Sequence, residues 1–305
     1  MDHATDMNGH DKGSVQMKRD PKKSKRDGRS SVWRMLRKDV FGMVGAAILV
    51  LLVLVTLLAQ WLSPYSPTEN NYSAIEQPPS LAHPFGTDDL GRDILSRVMW
   101  GARDTFRAAA IAVLITHVGG ILVGLISGFY GGILDSIIQR IFEVFLAFPP
   151  ILLTLAVVQV VGPSLNSAML AIGFAYIPST TRLVRASVLL AASMEYITAA
   201  KVAGAGNFRI MFRHILPNIL APIIVYATLE LGNAIMLTAG LGFLGLGAQP
   251  PAPEWGAMLS YGRNFLRFAP WMVMFPGLAI FVSIISVNLL GDSLRDALDP
   301  KMRHR

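Results

Sequence analysis

Residues 195–218 read EYITAAKVAGAGNFRIMFRHILPN, a polar-tolerant stretch inside an otherwise apolar second half of the chain. Its first part, Glu195–Ala203, is rich in helix-forming residues. Gly204–Gly206 then favours a sharp bend, because glycine readily adopts backbone angles that other residues avoid. Asn207 is suited to capping a second helix, and Pro217 is expected to stop or kink that helix. The stretch therefore predicts a short helix, a bend and a second helix.

The second helix is predicted to be amphipathic. Arg209 and Arg213 are four residues apart and share one face. The apolar stripe follows the spacing i, i+3, i+4 and i+7; it consists of Phe208, Met211, Phe212 and Ile215. From these residues alone, the helix suits a membrane surface as well as it suits a protein partner.

The spacing in this stretch resembles the cytoplasmic loop of ABC-type import permeases. That loop carries Glu-Ala-Ala, three residues, Gly, nine residues, Ile, one residue and Leu-Pro. Thr198 stands here in place of the Glu and His214 in place of the Ile. In the family, the loop docks on a separate ATPase subunit. The residues to which the resemblance assigns this coupling are Ala199, Ala200, Gly204, Phe208, Met211, Phe212, Ile215, Leu216 and Pro217.

The composition is typical of a membrane protein. Of 305 residues, 52% are hydrophobic and 15% are charged, which departs from the usage of soluble domains. The absence of cysteine excludes disulfides and thiol chemistry. Eleven of the 27 Lys and Arg residues lie in the first 40 residues, so the net charge of +7 describes a basic tail. His3 and His10 in this tail are interpreted as solvated residues, and no nucleic-acid partner is expected.

Six apolar segments approach the roughly 20 residues that a membrane-spanning helix needs. They are Phe41–Leu62, Ala108–Tyr130, Val144–Val161, Ser164–Thr181, Ile219–Gly247 and Phe268–Leu290. If the N-terminus is inside, the inner segments hold 21 Lys and Arg residues and the outer segments hold 6. Because positive charge favours the cytoplasmic side, both termini and the 195–218 loop are predicted to be cytoplasmic.

These segments divide the chain into regions. They are a basic cytoplasmic tail with an interfacial helix (1–40), the first transmembrane helix (41–62), a periplasmic segment (63–103), a five-helix core with the coupling loop 191–218 (104–292) and a cytoplasmic C-terminal segment (293–305). The predicted fold class is an all-α integral membrane protein with six transmembrane helices. The resemblance implies the type I ABC importer permease fold.

The outer segment contains several ionisable residues that suggest a metal or catalytic site. They are His83, Asp88, Asp89, Arg92 and Asp93. The favoured interpretation is a folded turn with bends at Gly86 and Gly91 and an ion pair between Asp93 and Arg97. The 83–103 segment also resembles the sequence preceding the core domain in peptide and nickel permeases. No catalytic residue and no metal ligand is assigned.

Glycine and proline predict the packing of two spans. Gly120, Gly124, Gly128 and Gly132 recur every four residues, and small residues on one stripe allow helices to pack closely in lipid. Pro149 and its neighbour Pro150 are expected to kink the third span.

Ionisable residues inside membrane spans are functional candidates. Glu230 is the first candidate for the transport pathway and His117 the second. Glu230 either faces a water-filled pathway, where it would meet the amino group of a peptide, or bonds to a neighbouring helix. Glu143 lies three residues from Arg140, which predicts a local ion pair.

The sequence contains no GxxxxGK[ST] motif, so it lacks a phosphate-binding loop of that type. Gly240–Gly245 has the glycine spacing of a dinucleotide loop but follows no predicted strand. The chain is therefore not expected to be an enzyme or to hold a cofactor. If ATP drives transport, the motor is another polypeptide.

The resemblance covers Phe41–Arg305 and extends to the peptide and nickel branch of bacterial ABC importers. It implies an inner-membrane permease subunit for short peptides, with dipeptides as the first choice. The implied partners are the lipid bilayer, a homologous second permease, two ATPase subunits that use ATP and Mg²⁺, and a periplasmic or lipid-anchored solute-binding protein. Glutathione, nickel complexes and longer oligopeptides remain alternative substrates. An ion-driven secondary transporter and a purely structural membrane subunit remain alternative functions.

Overall fold

A computed structural model describes residues 39–298. The predicted interfacial helix in the N-terminal tail, His3 and His10, and residues 299–305 of the C-terminal segment lie outside the described residues. Within 39–298 the chain forms eleven α-helices and no β-strand. They are α1 (Val40–Leu57), α2 (Ala59–Leu62), α3 (Ile94–Tyr130), α4 (Gly132–Leu146), α5 (Pro150–Val161), α6 (Leu165–Ala192), α7 (Glu195–Val202), α8 (Asn207–Arg209), α9 (Leu216–Phe243), α10 (Trp255–Gly262) and α11 (Trp271–Leu298).

The helices confirm an all-α membrane fold. Four are long and apolar enough to cross a membrane, namely α1, α3, the continuous run Asn207–Phe243 and α11. Two bent pairs raise the number to as many as six, with 86° between α4 and α5 and 71° between α6 and α7. The count of six spans and the cytoplasmic location of both termini stay predictions.

Helix α3 begins at Ile94, whereas the predicted span begins at Ala108. The early start follows from its N-cap, Asp93, whose side chain accepts hydrogen bonds from Ser96 N (2.8 Å) and Ser96 Oγ (2.7 Å). Such a cap satisfies backbone donors that the first helical turn leaves free. The polar first turns of α3 therefore continue the same helix as its membrane-spanning part.

The glycine stripe lets α3 pack closely against α6, as predicted. A Cβ atom on Gly124 would lie 2.6 Å from Val184 Cβ, and one on Gly128 would lie 2.8 Å from Val188 Cβ. At Gly120 the neighbour is Thr180, also at 2.6 Å. Gly132 does not belong to this stripe, because α3 ends at Tyr130. With φ +59° and no atom near its Cβ position, Gly132 instead starts α4 after a turn.

The predicted span at Val144–Val161 is not one continuous helix. Helix α4 ends at Leu146, and α5 begins at Pro150 after a bend of 86°. The proline pair explains the break, because neither Pro149 nor Pro150 has an N–H group to continue the helical hydrogen bonds. The predicted kink is thus confirmed as a complete interruption.

Helix α10 joins the N-terminal part of α3 through two buried side chains. Glu254 caps α10 and is fully buried. It accepts hydrogen bonds from Gly256 N and Ala257 N (both 2.9 Å) and from Thr105 Oγ1 of α3 (3.2 Å). Trp255 Nε1 donates to Val98 O of α3 (2.9 Å). Burial raises the pKa of Glu254, and the hydrogen bonds that it accepts oppose this rise.

Candidate functional site

The loop between α6 and α9 contains the bend that the sequence predicts. After α7 the chain turns at Gly204, where φ is +78°. Ala205 N donates to Ala200 O (3.0 Å), a hydrogen bond that closes the last turn of α7 around this left-handed residue. No atom lies within 4 Å of the position of a Cβ atom on Gly204. The backbone angle, and not crowding, therefore favours glycine here.

The second helix starts differently from the prediction. Gly206 is its N-cap, with φ −67° and no side-chain hydrogen bond, and Asn207 is the first helical residue. The prediction that Asn207 caps this helix is therefore wrong. Gly206, unlike Gly204, has backbone angles that any residue adopts.

The second helix also continues past Pro217 as far as Phe243. Of the predicted stop or kink at Pro217, the stop is wrong, because Pro217 lies in the first turn of α9, where a missing N–H is tolerated. A π-helical segment, Ile210–Ile215, precedes it. Directly after that segment, Leu216 N donates to Met211 O, five residues back. π-Helical turns are rare in proteins, but those that occur are often found at functional sites.

The π-helical segment divides the predicted apolar stripe. Met211 and Ile215 are buried together with Ile210, whereas Phe208 is 72% exposed. The Phe208 ring lies against that of the half-buried Phe212, with centroids 4.5 Å apart. The four residues therefore do not form one buried face.

The buried part of the loop packs on the α3–α6 pair. Ile197 of α7, Ile210 and Ile215 are fully buried in a cluster with Leu125 of α3. The cluster also contains Val184 and Val188, the α6 residues that lie against the glycine stripe. One set of side chains thus connects the loop to the most closely packed helices of the bundle.

The residues assigned to ATPase coupling divide into two groups. Those that are exposed on the surface of the loop are Ala199, Gly204, Phe208 and Pro217. Those that are half-buried or buried are Ala200, Met211, Phe212, Ile215 and Leu216. A shallow depression beside the first group is lined by Ser193, Glu195, Thr198, Ala199, Val202 and Ala203. The loop therefore has an outward-facing surface and a buried anchor.

An ion pair that the sequence analysis missed holds α4 against α6. Arg185 donates through Nε to Asp135 Oδ1 (2.6 Å) and through Nη2 to Asp135 Oδ2 (2.5 Å). Ser127 of α3 donates to Asp135 Oδ1 as well (2.5 Å). The partners are 50 residues apart in the sequence, and no local pattern relates them. The predicted Arg140–Glu143 pair is present at 3.0 Å on the exposed side of α4.

Glu230 and His117, the two candidate pathway residues, lie together inside the bundle. Glu230 is 5% exposed and His117 is 7% exposed. His117 Nδ1 lies 3.7 Å from Glu230 Oε2 but bonds to Val113 O (3.0 Å). A void of about 10 Å³ beside Glu230 is also lined by Tyr176 and Asn233. In this structure, Glu230 therefore faces the interior of its own helix bundle.

The outer segment is a folded turn stabilised by a dense polar network. His83 Nδ1 bonds to Asp93 Oδ1 (3.0 Å), and Arg92 Nε donates to Asp88 Oδ2 (2.7 Å). The predicted Asp93–Arg97 pair is wrong, because Asp93 caps α3 and Arg97 donates to the Pro67 carbonyl (2.7 Å). Gly86 and Gly91 have φ +75° and +73°, which confirms the predicted bends.

Tyr261 of α10 attaches to this network. Its hydroxyl donates to Asp89 Oδ2 (2.7 Å), and this hydrogen bond raises the pKa of Tyr261. Among residues 39–298, no group of three His, Cys, Asp or Glu side chains is arranged to hold a metal ion. The network joins the outer segment to α10, and we therefore interpret its role as structural.

Two known families match the sequence of this chain. Residues 120–304 match the family described as binding-protein-dependent transport system inner membrane component. Residues 29–79 match the N-terminal TM domain of oligopeptide transport permease C. Together these matches cover α1, the C-terminal end of α3, the loop and the helices that follow, and they leave out residues 80–119.

Curated relatives match over nearly the whole length. The dipeptide transport system permease protein DppC of Alkalihalophilus pseudofirmus is 49% identical over 277 residues, which are 90% of this chain and 91% of that protein. The protein of the same name from Haemophilus influenzae is 46% identical, covering 89% of this chain and 94% of its own. The glutathione transport system permease protein GsiD of Pectobacterium atrosepticum is 42% identical, covering 89% and 90%.

Among solved structures, a chain of the inward-facing MetNI methionine ABC transporter has a similar fold. The TM-score is 0.56 at 20% sequence identity, and the match covers 68% of this chain and 98% of that chain. The likeness confirms the ABC importer permease fold.

Proposed function

The chain belongs to the family of binding-protein-dependent transport system inner membrane components, and from this membership we propose that it carries dipeptides across the inner membrane. As a family member it is a transport subunit and not an enzyme. The choice of substrate rests on one observation: the chain is 49% identical to a dipeptide permease along nine-tenths of both chains. Glutathione is the second candidate, because a glutathione permease is 42% identical over similar lengths.

ATP would drive this transport through the 195–218 loop. Its exposed residues, Ala199 and Phe208 among them, provide a surface for an ATPase subunit, while Ile197, Ile210 and Ile215 anchor it to α3 and α6. A movement of the loop would thus act directly on the closely packed pair of helices. ATP and Mg²⁺ belong, in this proposal, to two partner ATPase subunits.

A second, homologous permease subunit would cover the α4–α5 arm. No residue of α4 is buried, and its exposed apolar residues include Ile133, Ile137 and Ile141. At the bend, the carbonyl of Leu146 has no helical partner, because the residue four positions on is Pro150. Irregular backbone at membrane depth is stable only where protein or water covers it. The free carbonyl supports a protein neighbour at this arm, whereas the exposed apolar side chains suit protein and lipid equally.

The remaining partner is a solute-binding protein on the outer side. In this arrangement it delivers the cargo and selects it, so the permease sequence leaves nickel complexes and longer oligopeptides as further alternatives. The family description itself ties transport to such a protein.

Reconstitution tests the proposal. The chain is placed in liposomes with the second permease, the ATPase subunits and the solute-binding protein, and uptake of labelled Ala-Ala and of labelled glutathione is measured with and without ATP. We expect ATP-dependent uptake of Ala-Ala by the complete complex. We expect no uptake by the chain alone under a proton or sodium gradient. Gradient-driven uptake by the lone chain would establish an ion-driven secondary transporter instead, and uptake of glutathione alone would replace the substrate.

A further inference from the structure

Seven buried side-chain atoms in residues 39–298 lack a hydrogen-bond partner, and three of them lie close together in the middle of the bundle. They are His117 Nε2 on α3, Thr180 Oγ1 on α6 and Glu230 Oε2 on α9. The three residues are 7%, 0% and 5% exposed. Native proteins leave few buried polar atoms unpaired, and such atoms often mark the position of a missing water molecule, ion or ligand.

The three atoms belong to one cluster. The hydroxyl groups of Thr180 and Tyr226 lie beside the Glu230 carboxyl group, and His117 Nδ1 lies 3.7 Å from Glu230 Oε2. The void of about 10 Å³ next to Glu230 approaches the space that one water-sized group occupies. The cluster therefore has unused hydrogen-bonding capacity and little empty space.

All three free atoms are acceptors. His117 Nδ1 bonds to the Val113 carbonyl (3.0 Å), which requires the proton on Nδ1 and leaves Nε2 of the neutral ring as an acceptor. Glu230 Oε2 accepts as well, and Thr180 Oγ1, whose hydrogen can point to the neighbouring Glu230 carboxylate, keeps lone pairs that can accept. The –NH3+ head of an alkylammonium group is water-sized, carries three N–H donors and is positively charged. It matches three acceptors that include a carboxylate.

We propose that Glu230, His117 and Thr180 form a recognition site for an ammonium group, which the protonated amino end of a dipeptide supplies during transport. The inference rests on the proposed function and adds to it the chemical group that the membrane subunit recognises. Because the cluster is buried, the peptide reaches it only in a conformation in which α9 separates from α3. A free small cation, such as the ammonium ion, has the same chemistry.

Substitutions that remove one acceptor test the site in the complete reconstituted complex. We expect Glu230→Gln to lower Ala-Ala uptake at least tenfold and Thr180→Val to lower it at least threefold. The matched control is Thr181→Val, because Thr181 is also fully buried on α6 with an unpaired hydroxyl but is not among the groups beside Glu230. This control should transport normally.

Thermal stability separates recognition from a structural role. Replacing an unpaired buried hydroxyl by a methyl group is close to neutral or stabilising when nothing binds there. Under the proposal, Thr180→Val therefore combines an unchanged or higher melting temperature with reduced uptake. Normal uptake by Thr180→Val overturns the proposal, even if Glu230→Gln fails to assemble.

Two probes identify the source of the ammonium group. The ratio of uptake by Glu230→Gln to uptake by the wild type is measured for Ala-Ala and for N-acetyl-Ala-Ala, so that selection by the solute-binding protein cancels. A low ratio for Ala-Ala and a ratio near one for the acetylated peptide support the peptide as the source. Inhibition of wild-type uptake by ammonium chloride, but not by tetramethylammonium chloride, supports a free cation as an additional occupant. Equal ratios without ammonium inhibition overturn the proposal, whereas no uptake by the wild-type complex would instead contradict the proposed function.

Discussion

Arg185 of α6 holds Asp135 of α4 through two parallel hydrogen bonds of 2.5 and 2.6 Å. Because α4 has no buried residue, this contact contributes much of what fixes its position. Helix α6 leads directly into the 195–218 loop, so the ion pair connects the exposed arm of the bundle to the helix that precedes the loop.

Breaking this pair should loosen α4 without unfolding the bundle. The Arg185 side chain is 31% exposed and that of Asp135 is 14% exposed, so we expect Asp135→Asn to cost about 1 kcal/mol locally. Hydrogen exchange of residues 132–146 should then become about fivefold faster. Glu143→Gln, which breaks the exposed pair on the same helix, is the control and should leave exchange unchanged. Equal protection in both variants would show that the ion pair does not position α4.

The bend at Gly204 should be sensitive to the backbone and not to volume. Valine at φ +78° is strained by about 1–3 kcal/mol, so Gly204→Val should reduce substrate-stimulated ATP hydrolysis by the complex roughly tenfold while the amount in the membrane stays normal. Gly204→Asn should retain much of the activity, because asparagine tolerates the left-handed region. Gly206→Val is the matched control, since Gly206 has φ −67°. Full stimulation in Gly204→Val would mean that this loop does not couple the subunits.

The two groups of loop residues should respond differently. Ala199→Asp changes the outward-facing surface, so it should weaken recovery of the ATPase subunits on pull-down at unchanged melting temperature. Ile215→Ala opens the buried anchor and should lower stability by about 2–4 kcal/mol. The half-buried Ala200 should show both effects when changed to Asp. If Ala199→Asp binds the ATPase subunits normally, the outward surface is not their docking site.

The glycine stripe predicts a strong difference between two helical glycines. A Cβ atom on Gly124 would lie 2.6 Å from Val184 Cβ, whereas one on Gly240 of α9 would meet no atom within 4 Å. We expect Gly124→Ala to destabilise the protein by about 1–3 kcal/mol and Gly240→Ala to be neutral or mildly stabilising. Thermal unfolding of the purified variants measures both effects. Similar melting temperatures would argue against close packing of α3 on α6.

The buried carboxyl group of Glu254 should give stability a dependence on pH. Burial raises the pKa of Glu254 in the folded protein. The stabilisation that protonated Glu254 contributes is therefore complete below the pKa of this group in the unfolded chain, and it is lost as the pH rises through the pKa in the folded protein. The free energy of unfolding should thus contain a component that falls above about pH 4.5. Glu254→Gln should flatten this profile, while Glu69→Gln, on the exposed outer segment, should not. An unchanged slope in Glu254→Gln would assign the pH dependence to other groups.

The fold class and the approximate positions of the apolar helices could be predicted from the sequence, because both depend on local patterns. Hydropathy locates α1, α9 and α11, and the proline pair locates the break between α4 and α5. The Gly204 bend was equally predictable, since a left-handed φ favours glycine.

The errors in the site arise where tertiary structure changes a local period. A regular helix would align Phe208 with Ile215, but the π-helical turn between them contains an extra residue and rotates the two ends by roughly 100° relative to each other. The Arg185–Asp135 pair depends on two elements that meet only in the folded bundle. The unpaired hydroxyl of Thr180 could not be predicted from the sequence either, because a threonine in an apolar helix normally bonds to its own backbone.

The contact between Gly124 and Val184 also has a consequence for how this protein can diverge. The Val184 side chain on α6 fills the space that a side chain at Gly124 on α3 would need, so neither position can change alone. A larger residue at 124 becomes acceptable only after, or together with, a smaller one at 184. Homologous chains that carry alanine at the first position should therefore carry alanine or glycine at the second, and the two sites, 60 residues apart, should be inherited as one unit.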